Sequence, residues 1–114
     1  MTTSQIDVNT NRKKQLGKCL EAMPDTAKLL GTQVVEAYKD GAINSKTKRL
    51  MAMAIALGAG CTNCILGQAE GALELGATKE EFLETIAVVA SMRGTTGVAE
   101  SLRVIQFLDE MGKL

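Results

Sequence analysis

Two stretches constrain the fold of this chain most. "LMAMAIAL", residues 50–57, and "FLETIAVVASM", residues 82–92, are apolar nearly all the way round a helix. A helix without a polar face needs cover on every side. A domain of 114 residues can centre one such helix, but hardly two. Oligomerisation is the simplest remedy, because a second copy covers the remaining face. The alternative is that small, alanine-rich faces are tolerated at the surface.

The rest of the sequence is helical in period and shows no strand-like alternation and no internal repeat. Leu16, Cys19, Leu20 and Met23 have helical spacing, and Pro24 then marks a break. Asp25 is placed to cap a second helix, in which Ala27, Leu30, Val34, Ala37 and Tyr38 keep the 3.6 period until Gly41. Ser45 can cap a third helix over Lys46 to Gly58, and Gly58 and Gly60 interrupt the chain before a fourth over Thr62 to Leu75. Gly76 suits the end of that helix. Thr78 with Glu81 forms a capping box for a fifth helix that reaches Arg93. A last helix runs from Thr96 to Met111, and residues 1–10, polar and aperiodic, are expected to be a flexible arm. The fold class is all-α: one domain over residues 1–114, a compact bundle of about six helices.

Aromatic residues are only 3% of the chain, so the core must be built from Leu, Ile, Val, Ala and Met. The formal net charge is +0, which gives no electrostatic footprint for a nucleic-acid binder. The basic clusters "NRKK" and "SKTKR" read as solvated helix ends. The N-terminus lacks the apolar core of a secretory signal, and the run "LMAMAIALGAGC" is too short to span a bilayer. The expected location is therefore cytoplasmic, with no membrane partner. In that compartment a Cys-x-x-Cys more often performs redox or metal chemistry than staples a fold.

Cys61 and Cys64 form such a pair after a Gly-Ala-Gly hinge, at the expected start of the fourth helix. Unpaired backbone N–H groups and the helix dipole there favour a thiolate. The spacing puts both sulfurs on one face, close enough to close a small disulfide ring. So short a loop contributes little as a staple, and suits opening and closing better. A metal site would need more ligands than Cys19 and scattered carboxylates, since the chain has no histidine. Inert burial is the remaining alternative for the pair. It is the reading for Cys19, which shares an apolar stripe with Leu16, Leu20 and Met23.

From Lys46 to Met92 the sequence resembles the carboxymuconolactone decarboxylase family, in its alkyl hydroperoxidase D-like branch. The resemblance is carried by Lys46-x-Lys48, Leu50, the alanine-rich helix and Cys61-x-x-Cys64. It continues through a second alanine-rich helix ending at Gly76, then Thr78 and "KEEF". It implies an all-helical fold, a trimer, hexamer or similar ring, and a reducible disulfide used by antioxidant disulfide reductases or weak peroxidases. No cofactor and no metal are expected, and a protein dithiol or disulfide can serve as redox partner.

Two positions depart from the redox branch. Its members usually carry a histidine four residues after the second cysteine, where this chain has Gln68. They usually carry a glutamate twelve residues before the first, where it has Arg49. The Glu–His proton relay that activates the second cysteine is thus replaced at both ends. Gln68 can donate a hydrogen bond to a thiolate but cannot act as a base. Arg49, on a neighbouring antiparallel helix, could face Gln68 and favour a thiolate electrostatically. Helix-terminus physics favours Cys61 as the more acidic thiol, whereas the resemblance favours Cys64. The expected assignment is Cys64 as nucleophile, Cys61 as resolving partner, and Gln68 and Arg49 in support. The leading function is a thiol–disulfide oxidoreductase that reduces a peroxide or a partner disulfide. The alternatives are a redox-sensing or binding oligomer without turnover, and a non-redox enzyme of the decarboxylase type.

Overall fold

The structure is a computed structural model and describes residues 3–114. Its elements are α1 (Gln5–Ala22), α2 (Pro24–Tyr38), α3 (Ser45–Ala59), α4 (Thr62–Glu74), α5 (Lys79–Arg93) and α6 (Thr95–Glu110). No strand occurs among the described residues. The all-α class and the six helices agree with the sequence pattern.

α3, α4, α5 and α6 enclose the core. Met53, Leu57, Ile65, Leu66, Phe82, Val104 and Leu108 are fully buried, and Phe107 nearly so. Each such side chain contributes roughly 1.5–3 kcal/mol of transfer free energy. The two segments that are apolar all round each bury one side only. α3 buries Leu50, Met53, Ala56 and Leu57 but exposes Met51 and Ile55. α5 buries Phe82 and Val89 but exposes Leu83, Val88 and Met92. No helix among the described residues is long and apolar enough to cross a membrane.

Several local expectations need correction. Residues 5–10 are not an arm but the first turns of α1; Met1 and Thr2 lie outside the described residues. The ordering contact is remote in sequence. The Glu110 carboxylate accepts from Ser4 Oγ (2.6 Å) and from the backbone N–H groups of Gln5 (3.0 Å) and Ile6 (3.1 Å). Those amides have no partner within their own helix, and an anion suits the positive end of the dipole. Ser4 Oγ also accepts from the Asp7 N–H, which completes the cap.

Cys19 is exposed rather than buried, and Leu16 and Met23 of its stripe are exposed too. α1 instead buries the polar side chains of Gln5 and Asn9. α2 buries no residue, although Leu30 and Val34 have core-like spacing. The reason is position: α2 packs only on α1 and α3, outside the core. Two caps also differ. Asn44, not Ser45, caps α3 by accepting from the Thr47 N–H (2.8 Å). Met23 precedes α2 with Pro24 at its first turn, and Asp25 lies inside the helix. The Thr78–Glu81 capping box is formed in both directions.

Candidate functional site

The chain leaves α3 through Gly60, whose φ of 73° is left-handed and favours glycine. Cys61 follows as the residue that opens α4, and its N–H returns to the Ala56 carbonyl (3.0 Å). Arg93 braces the same corner by donating from Nη1 to the Leu57 carbonyl (2.8 Å). Across this fixed corner Cys61 and Cys64 are joined by a disulfide, with their Cα atoms 5.3 Å apart. The two sulfurs differ in setting. Cys61 is half-buried and packs against the core, whereas Cys64 is exposed.

Arg49 and Gln68 face each other as the antiparallel arrangement of α3 and α4 requires. Arg49 Nη1 donates to Gln68 Oε1 at 3.0 Å. Arginine can only donate, so the amide oxygen must be the end that meets it. The amide N–H groups of Gln68 then remain as donors, one turn beyond Cys64 on the same face of α4. Arg49 itself is clamped. Its guanidinium lies over the Tyr38 ring, 3.8 Å from the centroid, and a Cβ at Gly71 would come within 3.1 Å of its Cδ. Tyr38 entered the sequence pattern only as an apolar position of α2. Stacking between helices has no signature in local spacing.

On the other side of Cys64 a groove of about 710 Å³ separates α1 from the start of α4. Arg12, Gln15, Leu16, Cys19, Asn63 and Cys64 are among its walls. The "NRKK" cluster is therefore not simply a solvated helix end. Arg12 is half-buried in the middle of α1, and Lys13 pairs with Glu70 (2.9 Å) on α4. Only the helical register of α1, hidden by its polar start, could have placed Arg12 on the inner side. Among the described residues, no group of three or more His, Cys, Asp or Glu side chains is arranged to hold a metal ion.

The comparisons with known proteins agree with this architecture. The carboxymuconolactone decarboxylase family matches over residues 24–107. An uncharacterized protein of the cox locus of Paracoccus denitrificans is 39% identical over 87 residues, covering 76% of this chain and 77% of its own. The crystal structure of a carboxymuconolactone decarboxylase family protein from Legionella pneumophila superposes with a TM-score of 0.89 at 29% identity. It covers 98% of this chain and 100% of its own. A second family member, from Thermotoga maritima, has a suggested part in an antioxidative response. It shares the fold with a TM-score of 0.79 at 21% identity, over 91% and 89% of the two chains. With six helices in the same arrangement and most of its length matched, this chain belongs to the carboxymuconolactone decarboxylase family.

Proposed function

We propose that the protein is a thiol–disulfide oxidoreductase of the cytoplasm that reduces hydroperoxides with its Cys61–Cys64 pair. One observation carries this reading: the pair is bonded across the first turn of α4, with Cys64 open to a groove and Cys61 against the core. The suggested antioxidative role of the Thermotoga maritima relative points the same way. The difference in exposure supports Cys64 as the attacking sulfur.

In the reduced protein the Cys64 thiolate attacks the terminal oxygen of a hydroperoxide. The O–O bond breaks, the alkoxide takes a proton from water and leaves as the alcohol, and Cys64 becomes a sulfenic acid. Cys61 then attacks the Cys64 sulfur. The S–S bond forms, and hydroxide leaves with the Cys61 proton as water. The two thiols supply the two electrons. An external dithiol restores them by two exchanges and is itself oxidised to a disulfide. A partner protein disulfide can take the place of the hydroperoxide by exchange: Cys64 displaces one partner thiolate to form a mixed disulfide, Cys61 attacks the Cys64 sulfur and displaces the second, and the partner leaves as a dithiol. Gln68 cannot take a proton, so activation is electrostatic. Arg49 fixes the Gln68 amide, and Gln68 donates to the Cys64 thiolate.

The test uses Cys19→Ser protein reduced with a dithiol. One equivalent of hydroperoxide should remove two thiols per chain, and fresh dithiol should restore both. Cys64→Ser should abolish the reaction. Cys61→Ser should stop at a sulfenic acid that dimedone traps. Two thiols that survive both hydroperoxide and a small disulfide would refute the oxidoreductase reading. A single oxidation without turnover in excess dithiol would favour a sensor.

A further inference from the structure

Arg12 is the one cation of the groove whose terminal nitrogens donate to no protein group among the described residues. Its Nε donates to Asn9 Oδ1 (2.8 Å), and Asn9 is only 2% exposed. Asn9 is itself held by Glu70, through Nδ2 to Oε2 at 3.0 Å. Glu70 is thus occupied by Asn9 and by Lys13, and no carboxylate among the described residues lies within ion-pair distance of Arg12. The guanidinium is laid against Gly67, where an added Cβ would come within 3.1 Å of Cζ. Gly67 follows Cys64 by three residues, so the cation and the sulfur share one face of α4. Asp7, on the first turn of α1, is the acid that shares the groove, and it does not pair with Arg12.

A guanidinium held by its Nε, with both terminal nitrogens unpaired among the described residues, is suited to a planar anion held by two parallel hydrogen bonds. Val8 and Leu16 line the same groove and offer a carbon chain an apolar wall, which an inorganic oxyanion does not need. We propose that Arg12 binds the carboxylate of the molecule that Cys64 attacks, so that the groove selects organic acids over their neutral counterparts. This deepens the oxidoreductase reading: the preferred oxidant is a carboxylate-bearing hydroperoxide or small disulfide. Recognition itself needs no redox step.

The test therefore begins with alkylation. In Cys19→Ser, Cys61→Ser protein Cys64 is the sole thiol. Its thiolate displaces iodide from iodoacetate or from iodoacetamide; the S–C bond forms, the C–I bond breaks, and iodide leaves with the electron pair. The two reagents differ in the carboxylate. A change in thiol acidity slows both alike, so the ratio of their rates isolates recognition. Arg12→Gln should lower the iodoacetate-to-iodoacetamide ratio by about three- to tenfold, and Arg12→Lys should lower it less. In the protein with Arg12 present the ratio should also fall as salt is raised. A ratio that Arg12→Gln leaves unchanged, or one indifferent to salt, would overturn the site. A second arm compares a carboxylated hydroperoxide with its methyl ester on the reduced Cys61–Cys64 pair, and a dicarboxylate disulfide with its bis-amide. Preference for the acid in either class, lost in Arg12→Gln, identifies the oxidant class. If no oxidant reacts while the alkylation ratio still depends on Arg12, the redox reading fails and the carboxylate site stands.

Discussion

Charge placement at single residues sets the chemistry proposed for this protein. Arg49 stands where the redox branch usually has the glutamate of a proton relay, and it donates to Gln68; in the proposed function that contact acts electrostatically on the Cys64 thiolate. Arg49→Glu should slow alkylation of the reduced pair near neutral pH, because an anion replaces a cation near the thiolate. Arg49→Glu with Gln68→His should recover reactivity by rebuilding a base. Alkylation rates against pH decide between them; equal rates for the protein and Arg49→Glu would remove Arg49 from the activation. Glu110 is a second residue-level control. Hydrogen bonds from Ser4 Oγ, then from the Gln5 and Ile6 amides, lower its pKa from 4.5 to about 2. A carboxyl with a lowered folded pKa stabilises the fold above its unfolded value and loses that contribution as pH falls through the folded one. The tie of α1 to α6 should therefore weaken between about pH 4.5 and pH 2. An NMR titration of the Glu110 carboxyl is the check, and a midpoint near its ordinary value would mean that the contact does not form.

Helices meet closely where a glycine removes the side chain, and two such places differ in what they tolerate. At Gly97, buried in α6, an added Cβ would lie 3.0 Å from Arg93 Cβ and 3.2 Å from the Val89 carbonyl oxygen. Neither atom can swing aside, so Gly97→Ala should cost about 1–3 kcal/mol through overpacking of α5 on α6. At Gly67 the nearest atoms belong to the end of the Arg12 side chain, which can move. Gly67→Ala should hold or raise stability, by up to about 1 kcal/mol of helix propensity, while displacing Arg12. Urea unfolding of both variants measures the contrast; equal losses would show that the two glycines serve the same packing purpose.

For the whole molecule we propose a homo-oligomer larger than a dimer, with a trimer or hexamer expected. The outward sides of α3 and α5 carry Ile55 (71% exposed), Val88 (63%) and Met92 (85%), and α2 adds Leu29 and Val35. Exposed apolar side chains in such numbers, on neighbouring helices, mark an interaction surface. Sedimentation at micromolar concentration should give a mass several times the 12.1 kDa of one chain. Ile55→Asp with Met92→Asp should lower that mass while leaving the helical circular dichroism in place. A chain that sediments as a monomer before any substitution would rule the assembly out.

Helix number, the Gly60 corner, the Thr78–Glu81 cap and the Cys61–Cys64 spacing were all legible in the sequence, because each depends on residues within one or two turns. The Arg49–Gln68 pairing could be anticipated from the family resemblance, because the redox branch places its relay at these two positions, and the antiparallel packing of α3 and α4 brings them together. What local spacing could not carry was decided by contacts between distant segments. Glu110 turns an aperiodic start into the first turns of α1. The remote position of α2 leaves its apolar period unburied. The packing of α1 beside α4 brings Arg12 to the wall of the Cys64 groove and leaves Cys19 exposed. Periodicity shows which side of a helix is apolar; only tertiary packing decides whether that side is covered, and by what.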